Sequence, residues 1–132
     1  MVIYQLTEES LLNRRRLLAL ICAFALGCSG GEKPRVPVSG RVLYKGYAVR
    51  DGAIAFTPDK ERGTQGSISK ANLNADGSFR LADGGLPPGW YRVTIASLGM
   101  SLPAKYRDPD LGNLVREVVA GKENTFDIVL DD

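Results

Sequence analysis

Catalytic chemistry has little to build on in this chain. It contains no histidine, so a nucleophile activated by an imidazole base is excluded. Serine with a lysine base remains, and Ser67-Ile68-Ser69-Lys70 supplies those residue types. On a strand, adjacent side chains point to opposite faces, so Ser69 and Lys70 cannot meet. Positioning is the first requirement of general-base catalysis. Zinc needs a cluster of His and Cys ligands, and the two cysteines are Cys22 and Cys28. Calcium needs convergent oxygens. Asp108 with Asp110, and Asp131 with Asp132, lie in no Asp-x-Asp-x-Asp-Gly loop and read as solvated charges. Gly84-Gly85 lacks the lysine and the following helix of a phosphate loop and reads as a turn. No catalytic residue, metal or cofactor is expected.

What remains is binding. Trp90 and Tyr47 fall on outer strand positions or turns, where aromatics can form a platform for a glycan or for peptidoglycan. The plain alternative is that Trp90 covers a sheet edge or packs on the segment 99–113. That segment is the longest irregular stretch, and loops of about 12–15 residues are often functional. It carries four large apolar groups, Met100, Leu102, Tyr106 and Leu111, so part of it should pack on the domain. Lys105, Arg107, Asp108 and Asp110 would line its outer side. Trp90, Lys105, Tyr106 and Arg107 are therefore the binding candidates, and a closing flap is the competing reading. Tyr91 follows Pro88-Gly89 at a strand start. It reads as a tyrosine corner, its hydroxyl bonded to backbone within residues 82–88.

Export is written more clearly. Arg14-Arg15-Arg16 precedes the uninterrupted apolar run Leu17–Leu26, and Gly27-Cys28-Ser29 follows. A basic region, a short apolar run and a small residue before the cut make a secretory signal. Ten residues are too few for a membrane-spanning helix, which needs about 20. Residues 1–27 are therefore expected as a helical signal peptide, 28–35 as a flexible tether and 36–132 as one domain. Removing residues 1–27 takes away three arginines and two glutamates, leaving 14 basic and 13 acidic residues. No field of one sign remains to recruit nucleic acid.

Leu26-Gly27-Cys28 resembles the lipobox of bacterial lipoproteins, with Leu one place nearer the cysteine than that family favours. The resemblance implies that Cys28 is acylated and becomes the mature N-terminus. Ser29, rather than Asp, after the cysteine implies the outer membrane. The alternative is a secreted soluble protein.

Beyond residue 35 the hydrophobic period is two. Val36, Val38, Gly40, Val42 and Tyr44 alternate with polar or outward positions. Lys45-Gly46 and Asp51-Gly52 read as turns. Ile54 and Phe56 share one face, as do Phe79 with Leu81, Tyr91 with Val93 and Ile95, and Phe126 with Ile128 and Leu130. Asp76-Gly77 suits a tight hairpin between two strands, because Gly accepts positive φ. About seven short strands and no helix after residue 27 predict an all-β, antiparallel β-sandwich of transthyretin-like or immunoglobulin-like kind.

The order Val38-Ser39-Gly40-Arg41-Val42, Gly52-Ala53-Ile54-Ala55-Phe56, Asp76-Gly77-Ser78-Phe79 and Pro88–Ile95 resembles the carboxypeptidase-regulatory-like domain. Pro103-Ala104-Lys105-Tyr106 matches the Pro-x-Lys-Tyr segment of small lipoproteins of this type. The resemblance implies a seven-stranded, prealbumin-like sandwich without catalysis. The expected protein is a non-enzymatic envelope module, held on the membrane by a lipid, with a structural or protein-interaction role among envelope proteins; the alternative is a glycan- or peptidoglycan-binding module using exposed aromatics.

Overall fold

The computed structural model describes residues 33–132. Cys28 and the expected signal peptide, residues 1–27, lie outside them. The described residues form two four-stranded sheets. The strands are β1 (Val38–Tyr44), β2 (Tyr47–Ala48), β3 (Gly52–Pro58), β4 (Ser69–Asn72), β5 (Ser78–Arg80), β6 (Gly89–Ser97), β7 (Val115–Val118) and β8 (Asn124–Leu130). One sheet has β1 at its centre, with β2 and β5 on one side and β8 on the other; the second runs β4-β3-β6-β7. The architecture is the all-β sandwich that the period-two pattern predicts.

Alternation places the core between the sheets. Val38, Val42, Phe79, Ile128 and Leu130 come from the first sheet, and Ile54, Phe56, Tyr91, Val93, Ile95 and Val118 from the second. Phe56 is fully buried and its ring meets three others. The centroids of Phe79 and Phe126, across the sandwich, lie 5.9 and 6.3 Å away, and that of Tyr91 lies 6.5 Å away. Tilted and edge-on aromatic pairs add about 0.5–1.5 kcal/mol each beyond area burial.

Turn chemistry follows the residues. Lys45 and Gly46 both take positive φ, 51° and 82°. That is the requirement of the two-residue turn whose twist matches flanking strands, and Tyr44 pairs with Tyr47 across it. Pro58 ends β3, where its missing N–H does least harm.

Three features depart from the expected pattern. Asp76-Gly77 does not close a hairpin, because β4 pairs with β3 while β5 pairs with β1. The turn itself is tight, with the Gly77 N–H donating to Asn74 O at 2.9 Å and the Ser78 N–H to the Asp76 carboxylate at 3.0 Å. Local turn chemistry thus fixed the bend, while burial of Leu73 and Phe79 sent the two arms to different sheets. Second, a two-residue β2 raises the strand number to eight. Third, β8 runs parallel to β1 over Val38↔Asn124 to Tyr44↔Leu130, within an otherwise antiparallel sandwich. Antiparallel neighbours can be joined by a short turn, but β8 arrives from β7 in the other sheet and is free of that constraint.

The parallel pair is close at Gly40, where a Cβ would stand 2.0 Å from the Phe126 carbonyl oxygen. Backbone cannot yield as a flexible side chain would. We predict that Gly40→Ala lowers stability by about 1–3 kcal/mol, the usual cost of overpacking. Urea denaturation measures it, and an unchanged midpoint contradicts the close approach.

Candidate interaction site around Trp90 and Arg92

The outer row of β6 carries Trp90, Arg92 and Thr94, because Tyr91, Val93 and Ile95 take the core. Next to this row the chain leaves β3 at Pro58, which pairs with Tyr91, and the Asp59 N–H donates to Trp90 O at 2.9 Å. A 3-10 turn at Lys60–Arg62 follows, with Asp59 at its N-terminus accepting from the Glu61 N–H at 3.2 Å. Thr64 then closes on the start of β6, its hydroxyl accepting from the Trp90 N–H at 2.8 Å. A side chain at Gly89 would collide with Thr64, with Cβ only 2.8 Å from its oxygen and methyl.

These contacts assemble an ion network. Asp59 is 1% exposed, and its carboxylate meets Arg62 Nη1 at 2.5 Å and Arg92 Nε at 3.4 Å. Arg92 also reaches Glu61 at 2.7 Å and pairs with Asp110. Arg62 lies over the Trp90 ring, 5.5 Å from its centroid. Burial pushes the Asp59 carboxyl upward, but hydrogen bonds from Arg62 and Arg92 outweigh it and hold the group below its usual range. The hydrogen bond to Asp59 likewise raises Arg92. Glu61 and Asp110 are exposed, and such surface pairs contribute only about 0–1 kcal/mol each. The buried carboxylate is therefore the critical member: losing one partner of a buried pair strands the other.

Chemically the network is a clamp. Arg92 binds the 3-10 turn through Asp59 and Glu61, and the segment 99–113 through Asp110. Among the described residues, no three His, Cys, Asp or Glu side chains are grouped to hold a metal ion.

The binding candidates separate. Trp90 is 37% exposed, and its cationic neighbour is Arg62 rather than Lys105 or Arg107. Lys105, Tyr106 and Arg107 share a 3-10 turn, Ala104–Arg107, that packs on β6. Arg107 is exposed and Lys105 half-buried, its ammonium 5.0 Å from the Tyr106 ring centroid. Tyr106 is buried and unavailable to a ligand, which corrects its reading as a binding residue. Its hydroxyl donates to Asp131 O at 2.7 Å and accepts from the Asp131 N–H at 2.9 Å. Within the same segment Leu102 is buried, Met100 packs partly on the core and Leu111 is exposed. Tyr47 lies on β2, in the other sheet from Trp90. Tyr91 is buried and its hydroxyl donates to Pro87 O at 2.7 Å.

Asp59, Arg62, Thr64 and Arg92 escape sequence reasoning. Asp59-Lys60-Glu61-Arg62 reads as a solvated charge run, and only the spacing of Asp59 and Arg62 hints at a pair.

No family model and no curated protein matches the chain. Among solved structures it is similar to the crystal structure of a DUF3823 family protein from Bacteroides ovatus. The TM-score is 0.45 and the identity 20%, over 73% of this chain and 44% of that one. The chain thus spans less than half the length of that structure.

Two measurements test the site. Tyr91→Phe should cost about 1 kcal/mol, the net value of one hydrogen bond, and more where the Pro87 carbonyl is left unpaired. An unchanged denaturation midpoint contradicts the bond. Asp59→Asn should lower the thermal midpoint at neutral pH. The folded carboxyl titrates below its unfolded value, so its contribution is present above about pH 4 and lost as pH falls through the folded pKa. The gap between wild type and variant should therefore shrink below about pH 4; an equal gap at pH 7 and pH 3 rules the charge out.

Proposed function

We propose that the chain is a non-catalytic cell-envelope lipoprotein of the carboxypeptidase-regulatory-like type, anchored through Cys28, whose sandwich serves structure or protein contact. The observation that carries this reading is the apolar run Leu17–Leu26 ending in Gly27-Cys28, a few residues ahead of the first bridged position of the sandwich, Val36. A cysteine there is placed for acylation. Each buried CH₂ contributes about 0.8 kcal/mol, so several acyl chains give lasting attachment where one gives reversible binding. Ser29 after the cysteine favours the outer membrane.

The absence of catalysis in this reading is supported by how the polar groups are used. The densest charged cluster spends its partners on one another, holding a turn and a loop against β6. A glycan groove would need several aromatics on one surface. Tyr91 and Tyr106 are turned into the core, Tyr47 belongs to the opposite sheet and Arg62 shares Trp90. Protein contact is the reading these placements favour.

Labelling cells with a clickable fatty acid tests the anchor. Wild-type protein should take up label and fractionate with membranes, and Cys28→Ser should lose both. Equal labelling of the two proteins, or of neither, overturns the lipoprotein reading.

A further inference from the structure

Natural sheets protect their edges, because an unpaired strand offers its backbone to any passing chain. Here β4 and β7 have four residues each, β5 three and β2 two, while β8 has seven. Among the described residues β8 pairs with β1 alone.

The ladder says which backbone groups are left. Successive residues of a strand direct their N–H and C=O groups to opposite sides. The Asn124 N–H donates to Pro37 O at 2.9 Å, so Asn124, Phe126, Ile128 and Leu130 face β1. Thr125, Asp127 and Val129 direct theirs outward. Both ends of this edge are closed. The Asn124 side chain donates to Val119 O and Lys122 O and accepts from the Val119 N–H, folding the preceding turn onto it. At the other end the Tyr106 hydroxyl takes up both the N–H and the C=O of Asp131. Between these closures Thr125–Val129 forms a window in which the outward N–H and C=O groups of Thr125, Asp127 and Val129 have no backbone partner among the described residues.

Side chains select what can fill it. The outward row of β8 and its flanks reads Glu123, Thr125, Asp127, Val129, Asp131, with three acids and no base. Glu123 is paired with Arg80, whereas Asp127 has no ion-pair partner among the described residues. Asp127 and Thr125 also line a shallow polar depression of about 430 Å³ with Ser39, Arg41, Ser78 and Arg80. A second copy added about a two-fold axis would gather two such acidic rows on one face, and like charges across strands repel.

We propose that the Thr125–Val129 window of β8 is a docking edge for an extended segment of a partner protein, added as a further strand with a Lys or Arg side chain against Asp127. Strand addition takes affinity from main-chain bonds and specificity from alternate side chains. The inference rests on the protein-contact reading above but not on the lipid anchor, so Cys28→Ser labelling and the following experiment can fail separately.

The test uses the full chain in detergent with a synthetic strand peptide, Thr-Val-Lys-Val-Thr, and its Lys→Glu counterpart. The lysine peptide should slow amide exchange at Thr125, Asp127 and Val129 and bind about tenfold tighter than the glutamate peptide. Asp127→Lys should reverse that preference while leaving the fold's exchange pattern intact. Val129→Pro removes an outward N–H without touching the β1 ladder and should abolish protection by either peptide. No slowing at the window, equal binding of both peptides or an unreversed preference in Asp127→Lys overturns the proposal. So does a concentration-dependent dimer that protects the same three amides, which assigns the edge to a second copy.

Discussion

The sandwich depends on how far apart its sheets stand, and Phe56 sets that spacing. Its ring sits at the middle of β3, fully buried, against Phe79 and Phe126 across the gap and Tyr91 alongside. Valines and leucines fill the remaining space between the sheets. Tyr91 carries this constraint outward. Its ring belongs to the core while its hydroxyl holds Pro87, so the chain must enter β6 where it does. From that start, alternation alone puts Trp90 and Arg92 on the outer face.

Arg92 is where the second level of organisation begins. The core orders the strands and reaches the segment after β6 only through Leu102, Tyr106 and Met100, and the 3-10 turn after β3 gives it no buried residue at all. Asp59 is buried beneath the turn it caps, and its carboxylate draws in Arg62 and Arg92. Arg92 then captures Asp110. One buried charge therefore ties two irregular segments to one strand. Leu102 and Tyr106 complete the closure by apolar contact, so the segment 99–113 is folded onto the domain by both kinds of force.

Much of this is legible in the sequence. Period-two alternation from Val36 to Leu130 marks the strands and their inward faces, because burial of one face is a local property of each strand. Pro88-Gly89 ahead of Tyr91 marks the strand start, because proline and glycine restrict or free the backbone in known ways. Pairing is different. Asp76-Gly77 looks like a hairpin turn and is a crossing between sheets, since which strand lies beside which is decided by the whole core. The parallel partnership of β1 and β8 leaves no local trace for the same reason. Asp59 looks like one charge in a solvated run, and its burial depends on β6, some thirty residues away. Tyr106 looks available in its loop because the strand end that its hydroxyl grips lies 25 residues further along the sequence.

The pairing of β1 with β8 also orders events in time. The first and last strands of the domain are neighbours, and their contacts span nearly the whole described length. Folding slows as contacting residues lie farther apart in sequence, because chain entropy must be lost before those contacts repay it. A chain emerging N-terminus first from a ribosome presents β1 long before its parallel partner exists. The hairpin to β2 can form at once, yet Val38 and Val42 stay without their full cover until Ile128 and Leu130 arrive. Completion of the sheet is thereby deferred until β8 has emerged, which leaves the inner face of β1 open for as long as the intervening strands take to appear.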